Sequence, residues 1–282
     1  MHAMIKDVRI TTLVENTAGG RGLLGEHGLS FLIEADGHRV LFDTGQGRVL
    51  THNAERLGIS INGLEAVALS HGHYDHTGGL ENVLETNPTA RLYLHPEALA
   101  AKFNRNGRDI GAGLPAAGEL GNWGVELIWT EEATEIAPGL FVTGPIPRRT
   151  DFEDTGGPFF RDSDCREEDH LPDDQAVFLR TKDGVVVILG CGHAGVVNTL
   201  EYVAELTGET RVHAVVGGMH VLHAGTERLE RTAEALERFG VQVLGPNHCT
   251  GIEAVCHFRR RLPGRVITMG VGDTLELRGT DR

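Results

Sequence analysis

The sequence predicts a mixed α+β fold whose chemistry sits at the ends of its strands. Two observations support this class. Strand pairs closed by tight turns stand beside units in which an apolar strand runs into an amphipathic helix. Four separate strands also end in a histidine, before His71, His193, His220 and His248. Strand ends on one edge of a sheet lie close in space, so residues far apart in the chain converge there.

In order, 5–14 mixes β-branched and polar residues and reads as a strand, followed by a glycine-rich loop over 15–28. Segments 29–35 and 39–43 pair around Asp36-Gly37, a dipeptide suited to the positive φ of a hairpin turn. Asp43, at the end of the second, reads as a structural residue rather than a ligand. A helix over 48–57 stops at Gly58, and a strand over 64–69 follows. The helix opening at Leu80 ends before Pro88. The strand 91–94 runs to His95, a surface or supporting histidine, with a helix-like stretch over 97–102 behind it. Strands follow at 125–129 and 140–143. Segments 175–181 and 185–189 pair around Lys182-Asp183-Gly184. A helix over 197–206, a strand over 212–216 and a helix over 226–239 closed by Gly240 come next. A strand over 241–244, a helix over 252–262 and strands at 266–269 and 274–277 complete the chain. Two stretches, 103–123 and 145–172, are too long and irregular for simple connections. They are candidates for a lid and a substrate pocket.

The balance of 26 basic and 40 acidic residues gives a formal charge of −14 over 282 residues. That argues against a nucleic-acid partner and against an anionic membrane surface. No apolar run approaches the roughly 20 residues of a bilayer span. The N-terminus lacks the apolar core of a signal peptide. The cysteines, Cys165, Cys191, Cys249 and Cys256, show no paired C-x-x-C spacing. A reducing, cytoplasmic setting is expected, with a small-molecule substrate.

The richest stretch is Ser70-His71-Gly72-His73-Tyr74-Asp75-His76-Thr77-Gly78-Gly79. Imidazole suits zinc, iron and similar ions, and a carboxylate adds hard oxygen character. This run supplies four candidate ligands, and two neighbouring ions need about four to six. His193 and His248 are candidates to complete the set, one on each side. His220 stands where a general acid could sit, and His170 is a weaker candidate. Cys191 reads either as a thiolate ligand or as a small buried apolar residue.

The motif resembles the His-x-His-x-Asp-His signature of the metallo-β-lactamase-fold superfamily, with His71, His73, Asp75 and His76 in its places. The resemblance implies that the first two histidines bind one metal ion and that Asp75 and His76 bind the second. It implies a four-layer αββα sandwich of two packed mixed sheets with helices on both outer faces. It also implies one domain over 1–282, with insertions at about 103–123 and 145–172. Further stretches narrow the resemblance to the metal-dependent hydrolase branch that includes the dihydropterin/aminobenzene ribosylphosphate synthase of methanopterin biosynthesis. They are 26–31, 173–176, 190–195 with Asn198, 217–220 and 248–251. Most members of the superfamily carry a bridging Asp where Cys191 stands.

The expected activity is hydrolysis of a phosphorylated or ester-type small molecule by a hydroxide on one or two zinc ions, with manganese or iron as alternatives. Asp75 would orient the water and His220 protonate the leaving group. Arg148, Arg149, Arg161 and Arg166 would clamp an anionic substrate. The competing expectations are synthase-type transfer of an aryl amine with pyrophosphate release, and a redox or binding protein on the same fold.

Overall fold

The computed structural model describes residues 4–114, 120 and 123–278. The chain opens with β1 (Asp7–Val14), β2 (Ser30–Ala35), β3 (His38–Phe42), α1 (Leu50–Leu57) and β4 (Ala66–Ala68). It continues through α2 (Tyr74–Thr77), α3 (Leu80–Thr86), β5 (Arg91–Leu94), β6 (Phe103–Asn104) and β7 (Leu127–Trp129). Next come β8 (Thr134–Ala137), β9 (Leu140–Val142), β10 (Phe159–Phe160), β11 (Ala176–Thr181) and β12 (Gly184–Leu189). The last elements are α4 (Val196–Thr207), β13 (Val212–Gly218), α5 (Thr226–Arg238), β14 (Val243–Asn247), α6 (Ile252–Arg261) and β15 (Thr274–Arg278).

One sheet has the order β15-β1-β2-β3-β4-β5-β7 and the other β14-β13-β12-β11-β9-β8. Side chains alternate between two buried faces. Val186 and Ile188 join Ile33 and Val40 in the core between the sheets, while Val187 and Leu189 pack under Leu200, Leu236 and Phe258 of the outer helices. On the other side, Leu32, Leu41 and Val67 pack under Leu50 of α1 and Val83 of α3. Strands covered on both faces read as continuous apolar runs, which is why 185–189 carries no polar residue. The result is the expected four-layer αββα arrangement.

Several elements differ from the expectation for local physical reasons. Residues 266–269 form only a bridge at Leu244–Val266. Leu244 N–H donates to the Arg265 carbonyl and Ile267 N–H to the Leu244 carbonyl, but the next donor along β14 would be Pro246, which has no N–H. The stretch after His95 is a short 3-10 turn, Pro96–Leu99, because the chain extends at Ala100 and carries Lys102 inward. The strand β8 carries no apolar pattern of its own because Thr134–Ala137 is half polar; it pairs with β9 across Pro138-Gly139. The two long insertions meet each other, with Phe103 of β6 opposite Phe160 of β10. Residues 115–119 and 121–122 of the first insertion lie outside the described residues.

The parallel strands β3, β4 and β5, and β12, β13 and β14, send their C-terminal ends to one edge of the sandwich. Asp43, His71, Cys191, His193, His220 and His248 all follow such ends.

Candidate metal centre

The six expected ligands and His220 reach this edge. His71, His73, Asp75, His76, His193 and His248 are all buried, and His220 is half-buried. His193 stands beside the first two histidines, with ring centroids 4.8 Å from His71 and 5.1 Å from His73. His248 stands beside the other half of the motif, its Nε2 3.3 Å from His76 Nε2 and 3.4 Å from Asp75 Oδ2.

Four of the imidazoles share one orientation. His71 Nδ1 lies 2.8 Å from Ser70 Oγ, and His76 Nδ1 lies 2.7 Å from Asp43 Oδ2. His193 Nδ1 lies 2.7 Å from the Thr155 carbonyl, and His248 Nδ1 lies 3.0 Å from Asn16 Oδ1. Each ring thus turns Nδ1 to an outer acceptor and Nε2 inward, the arrangement that metal-binding histidines adopt. His193 Nε2 and His73 Nε2 are buried with no partner. Cys191 Sγ sits between the two groups, 3.1 Å from His76 Nε2 and within 4.8 Å of the ligand atoms of His71 and His193. Orphaned, convergent nitrogens beside a carboxylate and a thiol fit a bound cation.

The electrostatics agree. Burial holds His73 down to about 3 and pushes His71 and His193 well below the ordinary imidazole value, so these rings are neutral near pH 7. Burial also opposes charge on His76, but the Asp43 and Asp75 carboxylates outweigh it and raise the ring to about 9. Burial disfavours the Asp75 carboxylate, yet His76 and His248 hold it well below the carboxylate range. A cation displacing the His76 proton would take over its role between the two acids.

The supporting groups are built in. Asp43, at φ 61, accepts Ser70 N–H at 2.7 Å, Ser70 Oγ at 2.7 Å and His76 Nδ1. It is buried behind His76 and holds that ring by hydrogen bonding, in keeping with a structural residue rather than a ligand. Asp173 accepts Gly72 N–H at 2.7 Å and is bound by Lys102 Nζ at 2.9 Å, which also holds Asp169 at 3.1 Å. Gly72 itself leaves no room for a Cβ, which would strike the Ala98 carbonyl. All three charged groups are fully buried. Lys102→Met therefore leaves the Asp173 carboxylate buried without a cation and Asp169 with only Arg161, at 3.8 Å, and unfolding free energy is expected to drop by about 3–5 kcal/mol. Urea titration checks this; a loss under about 1 kcal/mol would contradict it.

Asp174 accepts Ala194 N–H at 2.7 Å, and burial pushes its carboxyl up to about 7. A carboxyl with a raised folded pKa binds its proton more tightly in the native state. Its contribution is fully present below the unfolded value and is lost as pH rises through about 7. Between about pH 5 and 7.5, metal-free Asp174→Asn is expected to lose about 2 kcal/mol less stability than the parent. Chelator-treated samples unfolded at both pH values decide this, and equal losses would refute it.

Other expectations need correction. His170 is exposed and contributes only its carbonyl, to Arg148 Nη2. Asp169 Oδ1 accepts Leu171 N–H, and the backbone turns at φ 50 there, which throws His170 outward. The four arginines do not line the site cavity. Arg148 braces the His193 carbonyl at 2.7 Å, Arg149 forks onto Glu205, Arg161 binds Glu97 at 2.8 Å and Arg166 binds Asp164 at 3.1 Å. His95 caps the 3-10 turn by accepting Glu97 N–H at 3.2 Å.

Sequence reasoning missed three residues. His27 Nε2 lies 3.2 Å from Asp75 Oδ2, and its ring sits 5.2 Å from that of His248. Asn16 orients His248, and Cys249 lies behind Cys191. His27 and Asn16 come from the glycine-rich loop over 15–28; His27 falls in the 26–31 stretch that carries the resemblance, but no role attached to it there. The site opens into a cavity of about 410 Å³ lined by Tyr74, Ile110, Phe159, His220 and Leu222 among others.

This fold and this histidine-lined edge define a class, the αββα metal-site proteins. The chain belongs to the metallo-beta-lactamase superfamily, whose family model matches residues 24–248. It is 30% identical over 264 residues to the 7,8-dihydropterin-6-methyl-4-(beta-D-ribofuranosyl)-aminobenzene-5'-phosphate synthase of Methanocaldococcus jannaschii, covering 89% of this chain and 90% of that one. Among solved structures it is similar to Tm1679, described as a metal-dependent hydrolase of the beta-lactamase superfamily. That match has a TM-score of 0.82 at 35% identity, over 96% of this chain and 99% of the other. Zn(2+)-bound PqqB from Methylobacterium extorquens shares the fold at TM-score 0.56 and 15% identity, over 95% and 99% of the two chains. No helix among the described residues is long and apolar enough to cross a membrane.

Proposed function

We propose that this protein is a metal-dependent hydrolase acting on a phosphorylated or ester-type small molecule. His71, His73 and His193 would hold one divalent ion, and Asp75, His76 and His248 the second. Zinc is the first expectation for an imidazole-rich donor set, with manganese or iron as alternatives. The observation that carries this reading is the shared orientation of four imidazoles, each Nδ1 tied outward and each Nε2 turned inward. Such cations, when bound, supply Lewis acidity and a hydroxide nucleophile near neutral pH.

The chain's own residues do the rest. Asp43, Ser70, Thr155 and Asn16 fix the ring tautomers. Asp75, anionic and beside His27 and His248, would orient the attacking water. His220, whose ring packs 4.1 Å from that of His193 and lines the cavity, would hold the proton for the leaving group. Phe159, Ile110 and Leu222 give the cavity part of its apolar lining. The four unbridged cysteines support a reducing, cytoplasmic setting.

The test is a panel of phosphodiester, phosphomonoester, lactone and thioester substrates, assayed before chelation, after it and after metal is restored. Turnover on one class, lost and regained with metal, is expected. Turnover indifferent to the chelator would contradict the reading. A second reading, aryl-amine transfer to a pterin with pyrophosphate release, is favoured by the likeness to the Methanocaldococcus synthase. Pyrophosphate release that depends on an added aromatic amine would select it.

A further inference from the structure

Beside the two histidine groups lies a third donor set. Cys191, His220 and Cys249 place their ligand atoms within 4.8 Å of one another. We propose that these three residues form a separate position for one thiophilic divalent ion, such as zinc, iron or cadmium. Two thiolates and an imidazole prefer these ions to magnesium or calcium.

The backbone is shaped to bring the three together. His220 has φ 45, in the left-handed region that an ordinary residue occupies only when its surroundings hold it there. Gly156 packs so tightly on the His220 ring that no Cβ fits between them. A Cβ on Gly218 would lie 2.7 Å from Cys249 Sγ, so only glycine lets that thiol settle beside Cys191. Cys249 Sγ stands 3.4 Å from the Cys191 carbonyl, and both thiols are buried and unbridged. His220 Nδ1 is buried with no partner. Tetrahedral zinc, with bonds of about 2.3 Å to sulfur and 2.0–2.1 Å to nitrogen, holds such donors roughly 3.5–3.8 Å apart. Each donor thus needs to move by only about 1 Å to close on an ion.

All three residues line the same 410 Å³ cavity, which leaves a fourth coordination position open to solvent or substrate. An ion here would draw Cys191 away from the histidine groups. If the proposed function holds, it would also take His220 out of proton transfer, so this position would be inhibitory. The donor set itself does not depend on that function.

The test uses the intact parent protein loaded with one equivalent of Cd²⁺. X-ray absorption at the cadmium edge counts the sulfur neighbours. Two sulfurs are expected, falling to one in Cys249→Ser. One or no sulfur in the parent would overturn the proposal, because a histidine position borrowing Cys191 supplies at most one. An unchanged count of two in Cys249→Ser would overturn it as well. Zinc content at the histidine groups is measured separately, on protein without cadmium, so failure there leaves the sulfur count independent. Because the parent measurement needs no variant, a misfolded Cys249→Ser does not remove the test.

Discussion

His73→Ala is expected to lose one equivalent of bound metal and at least about 10³-fold in turnover. His73 is 5% exposed, and its Nδ1 lies 2.8 Å from His71 Nε2. Its ring stands edge-on to those of His71 and His193, at 4.5 and 5.1 Å. Removing it leaves two imidazoles where a catalytic divalent ion usually has three protein ligands. Lewis-acid stabilisation is worth several kcal/mol, and each 1.36 kcal/mol is about tenfold in rate. Metal content and turnover, measured on one preparation with whichever substrate responds, check this. Parent-like values for both would refute the role of His73.

Asp43→Ala is expected to cost about 3–5 kcal/mol of stability and to weaken metal binding about 10–100-fold. Asp43 is fully buried and accepts three hydrogen bonds, from Ser70 N, Ser70 Oγ and His76 Nδ1. Without it, the Ser70 N–H loses its partner and the His76 tautomer is no longer fixed. The buried His76 imidazolium also loses the carboxylate that holds its pKa up. Denaturant unfolding and a zinc competition titration measure the two effects. A variant that kept parent-like metal affinity would show that the Asp43 carboxylate does not orient His76.

Much of this was legible because the fold repeats one device. Three of the parallel strands, 64–69, 185–189 and 212–216, are mostly apolar and run into a glycine and a histidine, so they announce both their burial and their chemistry. The His71–His76 run falls at the first such end, and the distant His193, His220 and His248 at three other strand ends. What stayed hidden depends on pairings that no local pattern encodes. Arg148 looked like an anion clamp, yet it braces a backbone carbonyl; Lys102, at the end of a stretch that read as helix-like, is buried between two aspartates. His27 and Asn16 come from a loop whose path is set by contacts, among them Asn16 Oδ1 accepting Gly28 N–H at 3.2 Å. The β6–β10 pairing joins two-residue strands far apart in sequence, too short for any periodicity.

The most direct test of the central claim is elemental analysis of protein purified without added metal and again after reconstitution, for the parent, His193→Ala and His248→Ala. The account predicts about two equivalents of zinc, manganese or iron at the histidine groups in the parent. Each variant should retain about one, since His193 and His248 complete opposite groups. A parent protein that takes up no divalent metal even after reconstitution would contradict the account.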